Sequence, residues 1–218
     1  MNLILDGIVI VGLFAIFGIS HSVLASNKVK RRIINKFGNK IAFYRLFYNL
    51  FSTVVFLAIY YFSPKPDVYI YDLDYPFDIV ILILQVLSLI GFFWAASYID
   101  AKEFLGISQI KRYFEGTYDP EELDEHLTFI IRGPFHYTRH PIYFFSILFL
   151  GLRPQMDFFY MVFFLAMIAY FVIGSKFEEK KLIERFGVRY INYKKSVPAI
   201  VPYKIFTQKY TSEQNEII

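Results

Sequence analysis

The sequence predicts an all-α integral membrane protein. Five transmembrane helices are expected, the last two forming a tight helical hairpin, followed by an amphipathic helix at the cytoplasmic interface. Three observations predict this. Hydrophobic residues make up 56% of the 218-residue chain and its mean hydropathy is +0.41, more apolar surface than a soluble globule hides. Five apolar runs punctuate the chain, at residues 3–24, 43–62, 77–99, 141–152 and 156–177. Lys and Arg concentrate in alternate connections between those runs, as the positive-inside rule requires.

The first run has no Lys or Arg before it, and His21-Ser22-Val23-Leu24-Ala25 matches a cleavage site poorly. It reads as a retained span, not a signal peptide. The second and third runs are near the roughly 20 residues needed to cross a bilayer. The fourth is short. Gly133-Pro134 and His140-Pro141 block its extension backwards, because a residue preceding proline is pushed out of the helical region. Gly151 and Pro154 close it forwards, so runs four and five read as a hairpin turning at Arg153-Pro154-Gln155. After the fifth run, Leu182, Phe186, Gly187, Tyr190 and Tyr193 recur at helical spacing. Gly187 weakens or bends that helix. Its basic residues, Lys180, Lys181, Arg185, Arg189, Lys194 and Lys195, suit a helix lying on anionic lipid. No repeat divides the chain, so 1–218 is expected to be one membrane domain.

Charge sets the orientation. The connection 26–42 holds six Lys and Arg, 100–140 holds five and the tail from Gly174 holds nine, twenty of the 23 in all. The opposite side carries Lys65, Arg153 and four aspartates, Asp67, Asp72, Asp74 and Asp78. The N-terminus is therefore expected outside and the C-terminus in the cytoplasm, in a bacterial inner membrane. This distribution also accounts for the net charge of +4 and pI of 9.0 without a nucleic-acid partner. The absence of cysteine excludes disulfides, Cys-zinc sites and a Cys nucleophile. No dinucleotide, P-loop, zinc-protease or nucleophile-elbow motif is present, and no metal site is expected.

Polar residues gather at the cytoplasmic helix ends. His21 ends the first run, Arg45 and Asn49 begin the second, and Trp94, Ser97, Tyr98 and Asp100 end the third. Arg139 and His140 precede the fourth, and Glu178 and Glu179 follow the fifth. Each has an ordinary reading: Arg45 snorkels to headgroups, His21 caps its helix, and the glutamates are the first solvated residues. Ionisable clusters at membrane depth are nevertheless functional candidates. Pro141 suits the first position of a helix, which leaves the N–H groups of Ile142 and Tyr143 facing a possible anion.

Two motifs at this spacing carry a family resemblance. They are Gly133-Pro134-Phe135-His136-Tyr137-Thr138-Arg139-His140-Pro141-Ile142-Tyr143 and the stretch from Glu178-Glu179-Lys180-Lys181-Leu182 through Tyr193. Together they resemble the isoprenylcysteine carboxyl methyltransferase superfamily of membrane enzymes. His21–Ala25 and Asp100–Gln109 are similar to its bacterial branch of methanethiol S-methyltransferases and NnrU-like proteins. The resemblance implies S-adenosylmethionine as cofactor, bound within residues 127–202. Its contacts would fall on Phe135, His140, Pro141, Ile142, Tyr143 and Glu178, with Glu179 beside it and backbone contacts along Leu127, Thr128, Phe129 and Ile130.

One departure bears on substrate. Prenylcysteine enzymes carry an Arg one turn before the first Glu, and Gly174 stands there in this chain. The thiol-methylating branch also has Gly, which favours a small or lipophilic thiol entering from the membrane lipid. The thiol must ionise. His21 is the candidate proton acceptor, Arg45 would favour the thiolate, and Arg139 would lie near the cofactor carboxylate. The alternatives are isoprenylcysteine carboxyl O-methylation, amine methylation on a phospholipid headgroup, and a non-enzymatic NnrU-like or haem-binding protein using His21 and His140.

Overall fold

The computed structural model describes residues 2–121 and 128–204. Leu127, expected to make a backbone contact, lies outside the described residues. In chain order the elements are α1 (Leu3–Leu24), α2 (Asn27–Phe37), a 3-10 turn (Gly38–Phe43), α3 (Tyr44–Phe62), β1 (Tyr69–Asp72) and α4 (Phe77–Ala96). There follow α5 (Ala101–Leu105), α6 (Ile107–Phe114), a second 3-10 turn (Gly133–His136), α7 (Pro141–Gly151), β2 (Gln155–Asp157), α8 (Phe158–Phe186) and α9 (Val188–Ser196). Among the described residues, four helical stretches are long and apolar enough to cross a membrane: Leu3–Leu24, Asn27–Phe62, Phe77–Ala96 and Phe158–Phe186. The chain is thus mostly helical and fits a multi-pass membrane protein. α7 is apolar but has only 11 residues, about 16 Å of helix.

The chain divides into two compact units, one of residues Met1–Pro66 and Ile99–Thr128, the other of Asp67–Tyr98 and Phe129–Ile218. In the first, α1 begins under Asn2, whose side chain accepts from the N–H groups of Ile4 and Leu5. Phe14 and Phe17 of α1 pack on Phe56 of α3. Asp100 caps α5 by accepting from the N–H groups of Lys102 and Glu103. Gly106, at φ +92°, turns the chain from α5 to α6 where a side chain would strike the backbone of Leu46. Arg112 closes the α5–α6 hairpin with a fork of two bonds to the buried Glu103, at 2.8 and 3.0 Å.

In the second unit α4 packs along α7. Gln85 donates to the Phe149 carbonyl at 3.0 Å, and Gly91 leaves room for the Phe145 ring. β1 and β2 form a two-stranded antiparallel ladder, Tyr69 opposite Asp157 and Asp72 opposite Gln155. The turn expected at Arg153–Gln155 therefore runs into a strand. Asp157 then caps α8 through the Tyr160 N–H. α8 runs on to Phe186, well past the apolar run, because Glu and Lys are good helix formers. It stops at Gly187, whose φ is +55°. Tyr190, Tyr193 and Val197 are buried with Leu182, Ile183 and Phe186 against Phe129 and Ile131. The apolar face of this segment, expected to lie on lipid, is covered instead by protein.

Candidate functional site

The site in the second unit is built on one segment, 133–140, held against the end of α9. Gly133, at φ +63°, lets the segment turn where a Cβ would collide with the Tyr98 ring. Thr138 is buried, and its hydroxyl lies 2.7 and 2.8 Å from the carbonyls of Ala199 and Ile200. The N–H groups of Arg139 and His140 donate to the carbonyls of Pro198 and Ala199, each at 2.9 Å. The backbone that leads into α7 is therefore clamped before the helix starts. Pro141 occupies the first helical position, and no side chain caps α7.

Arg139 is consumed by this frame. Its Nε and one terminal nitrogen reach Glu179 Oε1 at 2.8 and 2.6 Å. Its other terminal nitrogen donates to the carbonyls of Lys194 and Val197 at the end of α9. Glu179 is buried and also receives Lys194 Nζ at 2.7 Å on its second oxygen. Arg139, Glu179 and Lys194 thus tie α7, α8 and α9 into one knot. Buried carboxylates require such pairing.

Glu178, its neighbour, is different. Its side chain is 48% exposed, and Tyr143 donates its hydroxyl to Oε2 at 2.9 Å. His140 bridges the two carboxylates, with Nδ1 3.4 Å from Glu178 and Nε2 3.4 Å from Glu179. Burial pulls the His140 imidazole down, but the two carboxylates more than offset it and the net shift is up. Both ring nitrogens thus face acceptors suited to an imidazolium. The His140 ring lies nearly parallel to Tyr143 at 5.2 Å, and Tyr143 stacks on Phe171 at 4.9 Å. Three rings therefore form a column from the first turn of α7 to α8. One turn before Glu178, the place a Cβ would occupy on Gly174 is open.

The remaining expected residues are placed as follows. Phe135 accepts from the Tyr193 hydroxyl through its carbonyl and meets Tyr98 edge-on at 6.5 Å. Phe129 packs with Phe186, Tyr190 and Tyr193 under the Arg189 guanidinium. Ile130 and Ile142 are half-buried, and Thr128 is exposed. Burial and the nearby Glu179 charge push the Tyr190 phenol up, so it stays protonated. The structure brings Arg139, His140, Tyr143, Glu178 and Glu179 together.

His21 and Arg45 belong to the other unit. His21 Nε2 meets the Tyr48 hydroxyl at 2.6 Å, and Nδ1 meets Ser52 Oγ at 3.0 Å. Arg45 Nε donates to the Phe104 carbonyl at 2.8 Å, as does the Asn49 amide at 2.9 Å. The two side chains cap the end of α5, where unsatisfied carbonyls accumulate.

Lys194, Thr138 and Phe171 were not among the expected residues. Lys194 reads in the sequence as one of several lipid-facing cations, and only the fold of α9 shows its partner. Among the described residues no group of three His, Asp or Glu is placed to hold a metal ion. Chemically, the site offers one open, oriented carboxylate, an uncapped helix N-terminus and a column of rings. A positive group fits the first, a carboxylate the second and a flat ring the third.

The methanethiol S-methyltransferase of Crocosphaera subtropica is 28% identical over 198 residues, covering 88% of this chain and 73% of the relative. Methanethiol S-methyltransferase 1 of Bradyrhizobium diazoefficiens is 27% identical over 88% of this chain and 65% of its own length. The enzyme of that name from Pseudomonas deceptionensis is 26% identical over 87% of this chain and 70% of its own. No solved structure matches. The model of the NnrU protein family matches residues 9–200, nearly the whole chain, and the protein belongs to that family.

Proposed function

We propose that the protein is a multi-pass membrane methyltransferase that uses S-adenosylmethionine to S-methylate a small or lipophilic thiol such as methanethiol. The observation that carries this reading is the contrast between the two glutamates. Glu179 is saturated by Arg139, Lys194 and His140, whereas Glu178 is held in place and left half-exposed. The relatives named methanethiol S-methyltransferase over most of the chain supply the acceptor class.

The residues present fit the cofactor's groups. Glu178 would hold its amino or ribose group, the N–H groups at the start of α7 its carboxylate, and Tyr143 and Phe135 its adenosyl part. When bound, S-adenosylmethionine supplies an electrophilic methyl group on a sulfonium. Arg139 acts by position: it fixes Glu179 and the end of α9, which in turn hold His140 and Glu178. Tyr143 and His140 orient Glu178 from two sides, so little ordering is left for the binding step. Gly174 leaves the open notch beside Glu178 without a cation, which suits a neutral thiol better than a carboxylate.

The spans extend this reading. The short α7 makes the fifth crossing and turns back at 153–155 on the outer side, where β2 pairs with β1. The basic connections support an N-terminus outside and a C-terminus in the cytoplasm.

The test is transfer of label from S-adenosylmethionine by the purified protein, with methanethiol, a prenylcysteine analogue and a phospholipid amine compared. Dimethyl sulfide as the chief labelled product is expected. Labelling of the prenylcysteine carboxyl or the lipid amine instead overturns the thiol assignment. A haem Soret band with no labelled product overturns the enzyme reading altogether.

A further inference from the structure

The first unit carries a surface that no part of the proposed chemistry uses. α2 begins at Asn27, with only two residues between it and the end of the membrane-length α1. The stretch 26–42 contains six Lys and Arg and no Asp or Glu. Helical spacing puts Lys28, Arg31, Arg32 and Lys36 on one face with Asn35 between them, and all four cations are exposed. Val29, Ile33 and Phe37 lie on the opposite face, and Phe37 is 53% exposed at the end of the helix. The following turn continues the pattern. Phe43 packs edge-on against Tyr113 and Phe114 of α6, at 5.2 and 6.1 Å. α6 therefore joins the same surface and adds Phe114, which is 75% exposed, with Ile107 and Lys111 beside it. The buried Glu103 of α5 is held by Arg112, and the exposed Glu115 that follows α6 pairs with Lys111 at 3.7 Å.

We propose that α2 and α6 form a docking surface for anionic phospholipid headgroups, with the cationic face of α2 turned to the headgroups and the exposed rings at the ends of α2 and α6 turned to the acyl chains. Lys28, Arg31, Arg32 and Lys36 meet the phosphates, while Phe37 and Phe114 enter the acyl boundary. Charge complementarity selects the occupant. A cluster of four or more cations directly after a span faces the negative surface of the bilayer at short range, inside a Debye length. Exposed rings at the edge of a cationic helix are the arrangement by which helices lie in that interface. A neutral lipid satisfies the rings and leaves the cations without counter-charge, so the surface discriminates headgroups by charge.

The experiment uses the full-length protein in detergent, titrated with phosphatidylglycerol or phosphatidylcholine of identical acyl chains and followed by native mass spectrometry. Wild type is expected to retain phosphatidylglycerol preferentially. Replacing Lys28, Arg31, Arg32 and Lys36 together by Gln should reduce that preference by about tenfold or more, each lost cation weakening attraction to the anionic headgroup. Removing four other charges, by Lys176→Gln, Lys180→Gln, Arg185→Gln and Lys195→Gln, should reduce it by less than about twofold, because the apolar face of the segment 182–197 is covered by protein and does not enter the acyl boundary beside them. Equal losses in the two variants overturn the proposal, since net charge alone would then govern retention. Should the first variant fail to fold, wild type is labelled with a photoreactive phosphatidylglycerol. Label on peptides within 26–43 and 107–114 supports the surface, and label confined to other segments overturns it. Addition of inorganic phosphate should leave the labelling unchanged; its loss would mean a simple anion site and overturn the lipid assignment.

Discussion

The Tyr143 hydroxyl donates to Glu178 Oε2 at 2.9 Å across 35 residues of sequence, and this bond defines the open end of the candidate site. Tyr143→Phe keeps the ring stack with His140 and Phe171 and removes only the donor. A hydrogen bond to a charged group contributes about 1.5–3 kcal/mol. Glu178 should therefore lose orientation, and affinity for S-adenosylhomocysteine should fall by about tenfold, measured by calorimetry. Circular dichroism should be unchanged. Unaltered affinity would show that Glu178 needs no orientation from this ring.

Arg139 should govern stability more than chemistry. Its partner Glu179 is buried, and its donors reach the Lys194 and Val197 carbonyls. Arg139→Ala leaves Glu179 with Lys194 and His140 only, and should cost about 3 kcal/mol, as for a buried pair losing one member. Arg139→Lys should recover less than half, because a single ammonium cannot reproduce the fork. Thermal melting in detergent measures both. A melting temperature unmoved by Arg139→Ala would show that α9 does not depend on this knot.

His140 gives a pH dependence with a definite sign. Its protonated form is favoured in the fold, with the pKa raised above 6.5. The stabilisation it contributes is complete below pH 6.5 and fades as pH rises through the raised value. Stability of the wild type should therefore decline on the alkaline side of that value, and His140→Asn should flatten the decline. In NMR titrations the His140 resonance should move at a lower pH in Glu178→Gln or Glu179→Gln than in wild type. An unshifted midpoint in both variants would remove the carboxylates as its cause.

The proposed division between acceptor and cofactor can be tested at Gly174. A side chain there would meet open space, and glycine inside a helix costs about 1 kcal/mol relative to alanine. Gly174→Ala should raise the melting temperature slightly. Gly174→Phe should cut methanethiol turnover while S-adenosylhomocysteine affinity stays within about twofold, below the loss expected of one hydrogen bond. Equal loss of both would place the cofactor in the notch.

Much of this was legible in the sequence, for physical reasons. A lipid-exposed span must be long, apolar and helical, so α1 runs over the expected 3–24 and α8 covers the fifth apolar run from residue 158 onward, its first two residues falling in β2. The prolines at 134 and 141 delimit α7 because proline restricts the residue before it. The meeting of Arg139–Tyr143 with Glu178–Glu179 follows from the short turn between α7 and α8. The two-residue-period signal of β1 and β2 is too short to read over four and three residues, and their pairing spans some 85 positions. Which cations are spent was also hidden. Arg139, Arg45 and Lys194 look alike in sequence, and only the placed carbonyls and carboxylates show that each has an internal partner. The face of Tyr190 and Tyr193 has the pattern of a lipid-facing stripe. It is covered because Phe129 and Ile131 return to it from a segment with no periodicity of its own.

The most direct measurement is calorimetric titration of S-adenosylhomocysteine into the detergent-solubilised protein, wild type against Glu178→Ala. Saturable binding at one site per chain is expected for wild type, weakened by about tenfold or more when the charged partner is lost, with the circular dichroism of the two proteins alike. No binding to wild type, or equal binding to both proteins, would contradict a cofactor site at Glu178.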